Sequence, residues 1–184
     1  AKLRQEGASE GLQEAIEAHL QKATEGYKKS LELHPDPDLF YSLGRIYEQR
    51  GLLDSAQNSY RACLLRQPDH ERSLRQVAQI YQARGQRSQA IVTWERLLVL
   101  RADPDAFFAL GNLYFKSGDM ERAAQSYREA NRLEPNAKET LANWGNALKQ
   151  LGQLNEARLA YRKALEIAPE NPYLYYSLGE IENS

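Results

Sequence analysis

The sequence predicts an all-α chain of stacked helix-turn-helix repeats, and three observations carry that prediction. Residues 104 to 135, PDAFFALGNLYFKSGDMERAAQSYREANRLEP, contain two amphipathic helical patterns separated by Ser117-Gly118-Asp119. The stretch recurs, because Tyr47, Tyr81, Tyr114 and Leu148 occupy one position at separations of 34, 33 and 34 residues. The same steps relate Gly51, Gly85, Gly118 and Gly152 in the turn, then Ala56, Ala90, Ala123 and Ala157, then Tyr60, Trp94, Tyr127 and Tyr161. A period near 34 residues, each period a helix pair, is the signature of a solenoid in which burial grows by stacking neighbours.

Taken in order, residues 1 to 11 are polar with two glycines and predict a frayed or poor helix. Leu12, Ala15, Ile16, Ala18 and Leu20 then form a narrow apolar stripe. Tyr27, Ser30, Leu31 and Pro35 stand 33 residues before Tyr60, Cys63, Leu64 and Pro68, so residues 1–35 read as a degenerate N-terminal repeat serving as a cap. Repeats follow at 37–70, 71–103, 104–137 and 138–171, and 172–184 reads as a C-terminal helix of a partial repeat, all in one domain. The entrances Asp36-Pro37, Asp103-Pro104 and Asn171-Pro172 each place a capping side chain before a proline at the first helical position. At the exits, the turn glycines suit a left-handed end to the first helix of each pair, helix A. Pro35, Pro68, Pro135 and Pro169 stop the second, helix B. The second repeat is one residue short and has Ala102 in place of the proline, so a local irregularity is expected at Ala102-Asp103-Pro104. Gly44, Ala78, Gly111 and Gly145 are expected to face Ala56, Ala90, Ala123 and Ala157, letting the helix axes approach.

These positions resemble the tetratricopeptide repeat (TPR) family, whose pattern reads Phe107, Leu110, Gly111, Tyr114, Gly118, Ala123, Tyr127, Ala130 and Pro135 in the third full repeat. The resemblance implies a right-handed superhelical solenoid whose concave face is lined by helix A side chains that the motif leaves free. Carried over offset by offset, that face comprises Tyr41, Arg45, Arg72, Arg75, Gln76 and Gln79, then Phe108, Asn112, Phe115, Asn143, Asn146, Lys149, Tyr173 and Tyr176. Asn and Gln amides can satisfy both N–H and C=O groups of an extended backbone without choosing its sequence. Phe108 and Phe115, seven residues apart and off the motif face, would be costly exposed apolar surface without a partner. Arg45, Arg72 and Arg75 form a basic corner suited to a carboxylate or phosphate, opposed by Asp38, Glu48 and Asp105. The carboxylate clamp that some TPR domains use on chaperone tails is disfavoured, because Tyr41 and Arg45 stand where Lys and Asn are required.

The implied function is a non-enzymatic scaffold or adaptor that binds a peptide or helix of a partner protein in its groove. Two alternatives stand beside it. LANWGNALKQLGQLNEARLAYRKALEIAPEN resembles the repeats of O-linked N-acetylglucosamine transferases, which would make the chain a substrate-recruiting region of a larger multidomain enzyme. The terminal helices could also drive homo-oligomerisation, with Leu12 to Tyr27 docking on Tyr173 to Ile181 of a neighbour.

Composition narrows the field. A 27% charged fraction with net charge −1 lacks the basic surface of a general nucleic-acid binder. No apolar run is long enough to span a membrane, and no signal segment is visible, so a cytoplasmic setting is the expectation. Cys63, the single cysteine, excludes an internal disulfide and falls on a position filled elsewhere by Ala130, Leu97 and Ala164, which predicts a buried small residue. His19, His34 and His70 lack metal-ligand spacing and read as solvated; no metal or cofactor is expected. There is no phosphate-binding glycine loop, HExxH or GxSxG motif.

Overall fold

The computed structural model describes residues 2–182, with side chains from residue 13 onward; Leu12 of the expected apolar stripe lies outside those side chains. Among the described residues there are ten helices and no strand. They fall into two compact units, Ala1–Gln86 and Arg87–Ser184, the division lying between the two helices of the second repeat.

The first unit contains α1 (Lys2–Leu33), α2 (Pro37–Gln49), α3 (Leu53–Arg66) and α4 (Glu71–Ala83), each packed on the next. Here α1 corrects two expectations. It is one continuous helix, so residues 1–35 form neither a frayed start nor a helix pair. Gly7 and Gly11 each cost about 1 kcal/mol of helix propensity, but no proline or turn residue intervenes to break the helix. Its inner side reaches α2 through buried Thr24, and Arg50 at the end of α2 pairs with Glu17 at 2.6 Å. Buried Ala56, Tyr60, Val77 and Ile80 make the core, with Tyr41, Tyr47, Leu64 and Tyr81 packed around them.

His70 is a further correction. It is 8% exposed rather than solvated. Its Nδ1 accepts the Ser73 backbone N–H at 3.1 Å, capping α4, which places the ring proton on Nε2, 3.1 Å from Asp38 Oδ1. His19 and His34 are exposed as expected. Cys63 is fully buried as expected, and burial pushes its thiol pKa up.

The second unit contains α5 (Arg87–Leu100), α6 (Pro104–Ser117), α7 (Met120–Leu133), α8 (Lys138–Gln150), α9 (Leu154–Ile167) and α10 (Pro172–Glu182), again packed in sequence. The capping residues behave as their chemistry dictates. Asp103 Oδ1 accepts the Ala106 N–H at 2.9 Å, Asp36 that of Asp38 at 2.7 Å, and Asn171 that of Tyr173 at 3.1 Å. All four turn glycines are left-handed, with φ between 69° and 83°. The residue after Gly118 then donates back to the Tyr114 carbonyl at 3.0 Å, closing the helix end.

The expected irregularity is a shortened connection. Only residues 101–103 join α5 to α6, whereas four residues, 134–137, join α7 to α8. Without a proline at Ala102, α5 still stops at Leu100, in the register where its counterparts stop. Asp103, which precedes Pro104, is driven to extended backbone (φ −142°, ψ 118°), and its buried carboxylate also accepts from Arg101 at 3.1 Å.

The close approach of paired helices has a different partner from the one expected. A Cβ on Gly111 would stand 2.5 Å from Tyr127 Cε1, and one on Gly145 would stand 2.6 Å from Tyr161 Cε1. The Gly44 position meets the ring of Tyr60 in the same way. Each glycine therefore accommodates the helix B tyrosine, not the alanine four residues before it. An alanine occupies one methyl's depth, and the ring beyond it reaches the backbone of the facing helix.

Candidate functional site

Helix A of each repeat carries the expected binding residues on the side left over once its glycine and leucines are committed to packing. In the first unit, Tyr41 stacks obliquely against Tyr60 and His70, with ring centroids 5.7 and 5.3 Å away. Its hydroxyl accepts from Arg45 at 3.3 Å, and Arg45 also pairs with Glu48 at 3.4 Å. The hydrogen bond to Tyr41 is the main reason the Arg45 pKa is raised. Glu48 in turn accepts from the Tyr60 hydroxyl at 2.9 Å. Arg45 is thus tied into a local network rather than held out for an anion. Arg72 and Gln79 are exposed, and Arg75 and Gln76 half-buried.

In the second unit the geometry is more informative. Asn112 Oδ1 accepts from the Tyr127 hydroxyl at 2.7 Å and from Asn143 Nδ2 at 3.1 Å. Asn146 Oδ1 accepts from the hydroxyls of Tyr161 at 2.6 Å and Tyr173 at 2.8 Å. Both amide oxygens are therefore saturated from within, and the Asn112 and Asn146 NH₂ groups are turned away from the tyrosines. Burial holds the tyrosine hydroxyls neutral, pushing Tyr161 up to about 12 and Tyr127 higher still.

Asn112, Asn143 and Asn146 line a hollow of about 80 Å³ together with Phe115, Lys116 and Tyr127. The structure does not bring the two expected aromatic anchors together. Phe108, half-buried, packs on Tyr127 at 6.0 Å and lines a separate hollow of about 260 Å³ with Asp105, Glu134 and Glu139. Lys149 is tied to Glu180 by a 2.8 Å ion pair, while the Tyr176 hydroxyl donates to the same carboxylate at 3.3 Å. The Lys149 contact is the main cause lowering the Glu180 pKa.

Tyr127, Tyr161 and Lys116 were not among the residues expected at the site. The two tyrosines were legible only as core, because their hydroxyl ends cross the pair to the opposite surface. The largest hollow lies elsewhere in the unit, about 660 Å³ between α7, α8 and α9, with Glu121, Arg128, Trp144 and Glu156 in its walls. It contains none of the expected residues. Among the described residues no His, Cys, Asp or Glu cluster could hold a metal, and no helix is long and apolar enough to cross a membrane.

Paired helices, a glycine-seated tyrosine in each of three pairs and a free polar side on helix A define a class: a repeat-built all-α array. Family profiles agree. The one described as TPR repeat matches residues 111–152 and 145–181, and the one described as tetratricopeptide repeat matches 37–70, together more than half of the sequence. The chain belongs to the tetratricopeptide repeat family.

Solved structures share the fold. YrrB, described as a TPR protein with an unusual peptide-binding site, superposes with a TM-score of 0.78 at 20% identity, over 86% of this chain and 82% of that one. MamA does so with a TM-score of 0.74 at 22% identity, over 80% of this chain and 81% of that one. By sequence, the human protein O-mannosyl-transferase TMTC1 is 28% identical over 199 aligned positions, covering 87% of this chain. The match spans only 23% of that protein's length.

Proposed function

We propose that the chain is a non-catalytic protein-interaction scaffold that grips an extended segment of a partner protein along helix A of its repeats. The supporting observation is the fixed orientation of Asn112 and Asn146. With each carbonyl oxygen occupied by two internal donors, each amide offers N–H groups and little acceptor capacity. A backbone carbonyl is the natural complement. Phe115 at the rim of the same hollow supplies the apolar contact that anchors a side chain, and anchors of this kind carry most of an interface's binding energy. YrrB, of the same fold and described as binding peptide, makes the role a reasonable one for such an array.

The test is a peptide library screened against the intact chain, followed by Phe115→Ala and Asn143→Ala. The expected result is selection of extended peptides and a loss of about tenfold or more in affinity for Phe115→Ala. Failure to select any peptide, or selected peptides indifferent to both substitutions, would remove the groove from consideration.

A second reading is favoured by the TMTC1 similarity. On that reading the same face recruits substrate polypeptide for a larger glycosyltransferase. It keeps the binding chemistry and changes the consequence. A full-length reading frame joined to a transferase domain, and glycosylation that falls on loss of Phe115, would support it.

A further inference from the structure

Two ends of the array complement each other. Within the repeats, Gly44 seats Tyr60, Gly111 seats Tyr127 and Gly145 seats Tyr161. Gly179 holds the same register in α10, one 34-residue step after Gly145, yet a Cβ there would meet only open space. The neighbouring positions are open as well. Tyr175 is 57% exposed, and Leu178 is half-buried where Leu110, its counterpart in α6, is 4% exposed. Among the described residues, α10 is a helix A without the helix B that would fill it.

The other end has the opposite form. Ala23, Tyr27, Ser30 and Leu31 of α1 stand one step before Ala56, Tyr60, Cys63 and Leu64 of α3, which is the register of a helix B. In α3, α7 and α9 the alanine and tyrosine of this register are at most 1% exposed, lying between successive helices. In α1 they are half-buried, with Gly26 beside them in open space. Ala23, Gly26, Tyr27 and Ser30 border an open hollow of about 300 Å³ closed on one side by Leu39 of α2. No helix A precedes them.

We propose that α10 of one copy receives α1 of a second copy, so that the two complete in trans a helix pair that neither completes alone. Tyr27 enters at Gly179, with Ala23 against the same helix. Its hydroxyl then reaches Glu180, the residue after the glycine, where Asn112 and Asn146 accept from Tyr127 and Tyr161. A second copy is the occupant because the missing alanine and tyrosine, in the correct spacing, are present and half-open on this same chain. The two surfaces differ, so the contact is heterologous and propagates head to tail instead of closing as a two-fold dimer. It uses the ends of the array and is independent of groove binding.

Sedimentation of the 184-residue chain over a range of concentrations tests this, with one substitution at each end. Gly179→Leu fills the socket and meets open space in the monomer, so α10 stays folded; Ala23→Arg charges the α1 surface. The wild-type mass should rise with concentration above 21.0 kDa, and each variant alone should stay at that value. Mixed in equal amounts, the two variants retain one good end each and should form a species of twice 21.0 kDa that grows no further. A wild-type chain that remains monomeric up to about 1 mM would overturn the proposal, as when the socket belongs to a different chain or to a following helix of its own. So would oligomers that survive both substitutions, or a mixture that stays monomeric or assembles without limit.

Discussion

Single residues decide how closely the helices of a pair approach. Because a Cβ on Gly111 would stand 2.5 Å from the Tyr127 ring, Gly111→Ala should lower stability by about 1–3 kcal/mol despite alanine's better helix propensity. Urea unfolding reads this as a shifted midpoint, and an unchanged midpoint would mean the ring can retreat at no cost. His70→Ala should cost about 0.5–2 kcal/mol through the lost cap on α4, whereas His70→Asn should recover most of it because asparagine also caps. Comparison of the two denaturation curves separates capping from mere burial. The glycine and tyrosine positions were plain in the sequence, but not that each is the other's partner. A ladder of repeats fixes register along the chain and leaves rotation about each helix axis open. His70 was opaque for another reason: histidine is an uncommon cap, and nothing in its spacing pointed to a structural hydrogen bond.

Elements end where local chemistry tells them to. Gly118, at φ 83°, closes α6, and Gly118→Ala should cost roughly 1–2 kcal/mol by forcing a side chain into the left-handed region. Thermal denaturation of that variant beside Gly111→Ala distinguishes backbone strain from collision. The helix boundaries were the most legible feature of the sequence, since Asp36, Asp103 and Asn171 cap and the prolines stop. The first helix was not. Lys2–Leu33 runs through Gly7 and Gly11 because a glycine only weakens a helix, and a repeat pattern that decays is no guide to whether the chain turns. The binding face shows the same division. The helix A offsets located Asn112, Asn143 and Asn146 correctly, but which amide atom faces outward depends on tyrosines from the next helix, and that is tertiary information.

At the scale of the whole chain, the buried tyrosines are a common feature of the repeats and set its response to alkali. Burial pushes Tyr161 up to about 12; burial and then the bond to Glu95 do the same for Tyr114, while an unfolded tyrosine titrates near 10. A hydroxyl kept neutral in the fold contributes stability that is fully present below about pH 10 and lost as pH rises through about 12. The melting temperature should therefore stay level to about pH 10 and then fall, with tyrosinate absorbance for the buried rings appearing together with loss of helix. Tyrosinate formation for every ring near pH 10 in a still-helical protein would contradict the burial.

The claim that helix A of the second unit is a binding face rests on amides whose oxygens are held inward and whose nitrogens are offered outward. Proton–nitrogen correlation spectra of the side-chain amides, recorded while a selected peptide is titrated in, report on that directly. Binding should move the Asn112 and Asn146 NH₂ signals and leave the Trp144 indole unmoved. Movement of the Trp144 indole with the asparagine signals unchanged would place the peptide in the hollow between α7, α8 and α9 and contradict the account.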